Sequence, residues 1–153
     1  HEYREFPSDL FLILETVGAR VSVRADNEKI MLLSLTDYLE TDMNKKVILQ
    51  IVLPPLSSLT YIVKTYKIAP RAQNAIADVN GGFKFCVKKE DGFRVLERPS
   101  ILFGGINPRF THAYMTETFY NGKRLMDVST LQAALNVLCK EVQPDYRLPD
   151  AKP

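Results

Sequence analysis

The residue types that most often carry enzyme chemistry are sparse in this sequence. Its two histidines, His1 and His112, have no cysteine or second histidine at the spacing of metal ligands. We therefore interpret both as surface or loop residues. The two cysteines, Cys86 and Cys139, stand far apart without a CxxC pattern. This argues against a disulfide framework and makes a reduced compartment the default.

Other catalytic patterns are missing as well. No GxSxG, GxGxxG or GxxxxGKS/T motif occurs. The glycine pairs Gly81-Gly82 and Gly104-Gly105 fall in or after strand patterns, where glycine usually marks a bulge or a close backbone approach. His112 and Glu117 are not a recognised acid–base pair, and we interpret them as residues on a helix surface. The sequence therefore predicts no catalytic residue and no metal site.

Two charged residues suit the binding of a polar ligand rather than the breaking of a bond. Asp9 lies at the predicted start of a helix, where the helix dipole favours a negative charge. Lys67 follows an aromatic residue in a predicted strand. A carboxylate and an ammonium group of this kind can hold a ligand that is rich in hydrogen-bonding groups.

The overall charge excludes two classes of partner. The 20 basic and 18 acidic residues nearly cancel, so no field attracts nucleic acid or a membrane surface. The basic and aromatic residues of 64–67 and 70–71 alternate as in some nucleic-acid-binding proteins, but a solvated strand edge is the alternative that fits the net charge. No apolar run reaches the roughly 18 residues of a membrane helix, and no signal peptide is recognisable, so a cytoplasmic location is expected.

The elements that must position Asp9 and Lys67 follow from the apolar pattern. A helix is predicted from Asp9 to Gly18, capped by Ser8, with Leu10, Ile13, Leu14 and Val17 on one face. The nearly continuous apolar run 47–53 predicts a central strand buried on both faces. Pro54-Pro55 ends it and marks our predicted boundary between two subdomains, residues 1–55 and 56–153.

The second part reads as antiparallel strands followed by helices. Strands are predicted near 61–68, 83–88 and 101–103, and Asp91-Gly92 forms a hairpin turn. A short helix is expected over 112–119. The last helix is predicted to begin at a capping box, Ser129 to Gln132, and to bury the apolar stripe Leu131, Ala134, Leu135, Leu138 and Val142. The fold class is α+β.

Four stretches, in order, resemble the FAD domain of the molybdenum hydroxylases, the family of aldehyde oxidases and xanthine dehydrogenases. Residues 1–19 resemble the segment after the glycine-rich flavin loop, and 47–54 the strand that ends the flavin-binding subdomain. Residues 66–83 resemble the start of the C-terminal subdomain. Its aromatic-Gly-Gly strand and following helix are matched by Leu102–Ile106, Thr111–Ala113 and Thr116-Glu117.

The resemblance implies the fold and its place in a larger enzyme. Residues 1–55 would be the second part of an FAD-binding PCMH-type domain, and 56–153 a CO dehydrogenase flavoprotein C-terminal-like domain. The chain, which begins at His1 rather than Met, would be a fragment that is inactive alone. Its partners would be the remaining domains, which carry two 2Fe–2S clusters and the molybdenum cofactor, in an enzyme expected to be a homodimer.

The resemblance also assigns roles to three residues. Asp9 matches an aspartate that hydrogen-bonds the flavin's polyol chain, Ile48 an apolar position near the flavin ring, and Lys67 a lysine that contacts FAD. Their plainer alternatives are a residue of a helix start, a core isoleucine and a surface lysine.

One segment bears on the final electron acceptor. Pro70–Asn74 resembles insect aldehyde oxidases, with Gln73 and Asn74 where xanthine dehydrogenases tend to carry charged residues. A change of charge near the flavin alters its electronics and the access of NAD. We therefore expect electrons to pass to oxygen. A xanthine dehydrogenase fragment that uses NAD and a truncated, non-catalytic interaction module are the alternatives.

Overall fold

The structure, a computed structural model, describes residues 7–26 and 29–144. His1 and residues 145–153 lie outside this part. The helices are α1 (Asp9–Val17), α2 (Leu35–Glu40), α3 (Tyr114–Tyr120) and α4 (Val128–Glu141), with a 3₁₀ turn at Lys89–Asp91. The strands are β1 (Arg20–Ala25), β2 (Met31–Ser34), β3 (Lys46–Val52), β4 (Tyr61–Ile68), β5 (Val79–Lys88), β6 (Arg94–Val95), β7 (Ser100–Gly104) and β8 (Thr111–His112).

The strands form two antiparallel sheets. The first has the order β2-β1-β3, and the second the order β4-β5-β7-β8, with β6 also paired to β5. The predicted α+β class and the hairpin at Asp91-Gly92 are confirmed. The chain passes from one sheet to the other through Pro54-Pro55, and the division into two domains at this point stays a prediction.

Helix α1 lies between the two sheets and begins and ends as predicted. The Ser8 hydroxyl accepts a hydrogen bond from the Phe11 N–H at 3.2 Å. At the other end, Gly18 adopts a left-handed conformation with φ of 82°, which glycine reaches at no steric cost. Both local signals therefore place the helix correctly.

The buried face of α1 differs from the prediction. Leu12 and Thr16 are fully buried, whereas Leu10 and Ile13 are exposed. Thr16 tolerates burial because its hydroxyl donates to the Leu12 carbonyl oxygen at 2.7 Å, which leaves no unpaired donor in the core. Hydrophobicity alone could not reveal that the most closely packed side of this helix carries a threonine.

The prediction of a central, doubly buried strand at 47–53 is wrong for the described chain. Strand β3 pairs with β1 alone among the described strands and therefore lies at a sheet edge. Its apolar side chains are exposed on both faces; the large ones are Val47, Ile48, Leu49, Ile51 and Val52, followed by Leu53. The apolar run is real, but no described element covers it.

The second sheet is covered on both faces by helices. Phe83, Phe85 and Val87 of β5 face α3 and α4 and join the larger hydrophobic core. Asn80, Gly82 and Lys84 point to the opposite face, where α1 packs. This alternation follows from the two-residue period of a strand.

Three predictions in the last third of the chain need correction. The N-cap of α4 is Asp127, which accepts from the Ser129 N–H, so the helix begins before the predicted capping box. Of the predicted stripe, Ala134 is buried, but Leu131 and Leu135 are exposed. His112 lies in β8, not in a helix, because α3 begins only at Tyr114.

Candidate functional site

A cluster of three polar side chains forms where α1 begins above the second sheet. Lys67 of β4 and Asn80 of β5 are directly opposite each other in the antiparallel register, so their side chains share one face of the sheet. Helix α1 lies over that face and begins at Asp9. The cluster thus joins residues that are far apart in the sequence.

Each Asp9 carboxylate oxygen has its own partner. The Lys67 Nζ lies 2.7 Å from Asp9 Oδ2 and also donates to the Ala75 carbonyl oxygen at 2.6 Å. The Asn80 amide donates to Asp9 Oδ1 at 2.8 Å and to the Pro7 carbonyl oxygen at 3.3 Å. The carboxylate is therefore fixed in orientation from two sides.

Asp9 and Lys67 remain reachable from solvent, whereas Asn80 does not. Their side chains are 43% and 38% exposed, and Asn80 is 2% exposed. Partial burial by itself raises the pKa of Asp9. Hydrogen bonds from Lys67 and Asn80, with the charge of Lys67, outweigh that effect and hold the pKa below its usual value. Asp9 is therefore an ionised acceptor at neutral pH.

The site offers a carboxylate acceptor and an ammonium donor to a polar ligand. An ionised carboxylate accepts from hydroxyl groups, and the lysine ammonium donates to carbonyl or phosphate oxygens. Among the described residues, no group of three or more His, Cys, Asp or Glu could hold a metal ion. Asp9 and Lys67 therefore offer a ligand hydrogen-bonding and charged groups.

The third residue named from the resemblance lies elsewhere. Ile48 stands in β3 of the first sheet, opposite Val23, and is 43% exposed. It belongs to neither hydrophobic cluster of the described chain, and no described contact joins it to Asp9 or Lys67. The structure thus brings together two of the three predicted residues.

A second polar cluster, which the sequence analysis missed, ties α1 to β8 and α3. His112 Nε2 lies 3.1 Å from Glu15 Oε1, and its Nδ1 lies 3.2 Å from Glu117 Oε1. Glu117 also accepts from Arg98 Nε at 3.0 Å and from the Ile101 N–H at 2.9 Å. The interpretation of His112 and Glu117 as helix-surface residues is wrong, because Glu117 is buried and paired.

The charges in this second cluster stabilise one another. Burial alone lowers the pKa of His112, but hydrogen bonds and charges from Glu117 and Glu15 raise it to about 9. Burial alone raises the pKa of Glu117, but His112, the Ile101 N–H and Arg98 together lower it. His112 is therefore an imidazolium at neutral pH, with both nitrogens occupied, and is not free to act as a base.

The missed residues carried no usable sequence signal. Asn80 precedes the predicted strand 83–88, so nothing in the sequence placed its side chain on a sheet face. Glu15 and His112 are 97 residues apart, and nothing in the local pattern around either one indicates the other.

Comparison with known proteins defines the class. A family model described as the CO dehydrogenase flavoprotein C-terminal domain matches residues 64–153. The chain therefore belongs to this family, and its relatives place it within the FAD domain of the molybdenum hydroxylases. The resemblance drawn from the sequence is confirmed at this level.

The relatives include both dehydrogenases and oxidases. The chain is 30% identical over 139 residues to the xanthine dehydrogenase of Oryza sativa subsp. japonica, a match that covers 88% of this chain and 10% of that protein. It is 27% identical over 155 residues to the indole-3-acetaldehyde oxidase of Arabidopsis thaliana, covering 93% and 11%. The chain thus spans about a tenth of the length of these curated relatives.

A solved structure shares the fold. Carbon monoxide dehydrogenase from Hydrogenophaga pseudoflava, in a form lacking the Mo-pyranopterin moiety, matches with a TM-score of 0.76 at 16% identity. The match covers 95% of this chain and 50% of that chain. It confirms the expected fold. Within the described residues, no helix is long and apolar enough to cross a membrane.

Proposed function

We propose that the chain is part of the FAD domain of a larger molybdenum–flavin–iron–sulfur oxidoreductase of the aldehyde oxidase type. The observation that carries the proposal is the meeting of Asp9 and Lys67, which are 58 residues apart, in a solvent-accessible pair at the start of α1. The family resemblance assigns both residues to contacts with FAD. An accessible pair, held in place by a buried amide, is suited to a ligand.

The proposed roles follow from the chemistry of each side chain. Asp9, kept ionised by Lys67, accepts hydrogen bonds from the hydroxyls of the flavin's polyol chain. Lys67 donates to polar atoms of the same cofactor. Ile48 would pack near the flavin ring, and its exposure leaves an apolar side chain free to do so. When bound, the flavin would pass electrons from the 2Fe–2S clusters of the longer protein to the final acceptor.

Oxygen is the proposed acceptor. The segment with Gln73 and Asn74 is exposed, and Arg71 donates to the Asn74 carbonyl oxygen at 2.8 Å, so its guanidinium folds back onto its own loop. Gln73 and Asn74 are neutral where xanthine dehydrogenases tend to carry charged residues, and this supports an oxidase. The similarity to rice xanthine dehydrogenase supports the second candidate, a dehydrogenase that uses NAD. Steady-state turnover of the full-length protein with oxygen or with NAD as sole acceptor separates the two.

Flavin binding is tested by two substitutions in the full-length protein. Asp9→Asn removes the charge but keeps the shape, and Lys67→Met removes the ammonium. Each should weaken FAD binding by about tenfold, the effect of losing one charge-assisted hydrogen bond. The dissociation constant is measured by flavin fluorescence on the deflavinated protein.

A matched control lies on the same strand. Lys64 pairs with Phe83 of β5, and its side chain lies on the other face of the sheet from Lys67. Lys64→Met should therefore leave the FAD dissociation constant unchanged. Unchanged affinity in both Asp9→Asn and Lys67→Met would remove the two residues from the site. Full-length wild-type protein that never takes up flavin would instead support a non-catalytic module.

The expected homodimer and cytoplasmic location are further proposals, tested by sedimentation and by cell fractionation.

A further inference from the structure

Asn80 is the buried member of the cluster, and it contacts the residue that the proposed function needs most. Its amide nitrogen donates to Asp9 Oδ1 at 2.8 Å and to the Pro7 carbonyl oxygen just before the helix. We infer that Asn80 is a positioning residue for the cofactor site, which holds the Asp9 carboxylate in its ligand-accepting orientation. This inference rests on the proposed function, because it assumes that Asp9 binds FAD.

The orientation of the amide follows from its neighbours. Two acceptors, the Asp9 carboxylate and the Pro7 carbonyl, face one end of the side chain, so that end must be the NH₂ group. The other end, Oδ1, is buried and has no hydrogen-bond partner. A Cβ on Gly104 would overlap this oxygen. The glycine in β7 therefore provides the space in which the amide stands.

An unpartnered amide oxygen in the core costs free energy. A residue that served only packing at this position could be apolar and would avoid that cost. The amide contributes instead through its two donated hydrogen bonds. These tie Pro7, just before α1, and the Asp9 carboxylate to β5. The geometry thus indicates that Asn80 serves Asp9 rather than the core.

The charged surroundings of Asn80 are simple. Its amide contacts the Asp9 carboxylate of α1, and its register partner on β4 is Lys67, which also contacts Asp9. Gly104 of β7 pairs with Asn80, and the ring of Phe110, just before β8, lies beside Gly104; neither carries a charge. Further charged groups lie near the C-terminal end of α1: Glu15 of that helix, His112 beside it, and Lys84 of β5, which donates to the Val17 carbonyl oxygen. Asp78, just before β5, is exposed.

Asn80→Asp in the full-length protein tests the inference by its pH dependence. A protonated carboxyl group has nearly the shape of the amide and can donate its O–H to Asp9. An ionised carboxylate at this position repels Asp9. Burial raises the pKa of a carboxyl group, so ionisation takes place at a higher pH than usual. The FAD dissociation constant of Asn80→Asp should therefore be near the wild-type value at pH 5 and rise about tenfold by pH 8. The wild-type constant should stay flat, and a variant whose constant is also flat overturns the inference.

Asn80→Ala provides a second, independent variant. It removes the donor without adding a charge, so the FAD dissociation constant should rise about fivefold at every pH. If Asn80→Asp does not fold, an unchanged constant in Asn80→Ala overturns the inference by itself. Circular dichroism melting shows whether each variant is folded at the temperature of the binding measurement.

Asp9→Asn, measured in parallel, distinguishes a failure of the role of Asn80 from a failure of the role of Asp9. If Asp9→Asn weakens FAD binding while the FAD dissociation constant of Asn80→Asp does not change with pH, the role of Asn80 is rejected and the proposed flavin site stands. FAD affinity that Asp9→Asn does not change removes Asp9 from the proposed site and rejects the role of Asn80 with it. All readouts are binding constants, so none depends on turnover by the molybdenum centre.

Discussion

Thr16 of α1 lies directly against Gly82 of β5, in space that the missing Cβ of the glycine leaves open. A Cβ at Gly82 would overlap the Thr16 hydroxyl oxygen and would lie 3.0 Å from Thr16 Cβ. Asn80 and Lys84, two residues away on either side, contact α1 near its start and at its end. The close approach at Gly82 is therefore what allows one strand to hold the helix along its length.

Gly82→Ala should destabilise the chain by roughly 1–3 kcal/mol, the usual cost of overpacking a close contact. The added methyl group must push α1 away from the sheet or force Thr16 from its position. The free energy of unfolding is measured by urea denaturation. Because Thr16→Ala removes the overlapping hydroxyl, the double variant Thr16→Ala/Gly82→Ala should recover part of the loss relative to the sum of the single changes.

Gly81→Ala is the matched control, since Gly81 points to the opposite face of β5. A Cβ there would meet the edge of the Phe83 ring at 3.2 Å, and that side chain can shift slightly. Its cost should be clearly smaller than that of Gly82→Ala. Equal costs for the two substitutions would show that glycine flexibility, not the contact with Thr16, sets the stability.

His112 should make the stability of the chain depend on alkaline pH. Its pKa in the folded chain is about 9, above the ordinary value of 6.5, so the folded state binds its proton more tightly than the unfolded state does. The resulting stabilisation is fully present below pH 6.5 and is lost as the pH rises through 9. Its size is roughly 3 kcal/mol.

His112→Gln isolates this contribution. Glutamine is neutral at all pH values and keeps a hydrogen-bonding side chain near Glu15 and Glu117. The free energy of unfolding of the wild-type chain should fall between pH 6.5 and 9, and that of His112→Gln should fall much less. Parallel declines in the two proteins would mean that the ion pairs of His112 do not produce the pH dependence.

Local signals in the sequence were sufficient for much of the fold. The Ser8 cap, the Gly18 terminus and the Asp91-Gly92 hairpin each depend on a few consecutive residues, and each is found where predicted. Packing between distant elements was not predictable in the same way. The burial of Thr16 depends on Gly82, and no periodicity along α1 encodes a glycine on another element.

The candidate site likewise combines features that the sequence predicted with contacts that only the fold shows. Local chemistry indicated Asp9 and Lys67 as residues for a polar ligand, and the family resemblance assigned them to the flavin, but only the fold brings them into contact. Asn80 was missed because it lies outside the predicted strand 83–88 and a lone asparagine carries no chemistry by itself. Its role arises from the register that sets it opposite Lys67.

Strand β3 should make the isolated 153-residue chain self-associate. It combines an edge position, β-branched residues and apolar side chains exposed on both faces, the features that favour pairing between chains. Ile51→Lys places a charge on this strand and should lower the mean mass measured by light scattering during size-exclusion chromatography. Leu59→Lys is the control, because Leu59 is 77% exposed and lies outside every strand. If both lysine variants lower the mass equally, general solubility is responsible; if Ile51→Lys has no effect, the strand is not the contact.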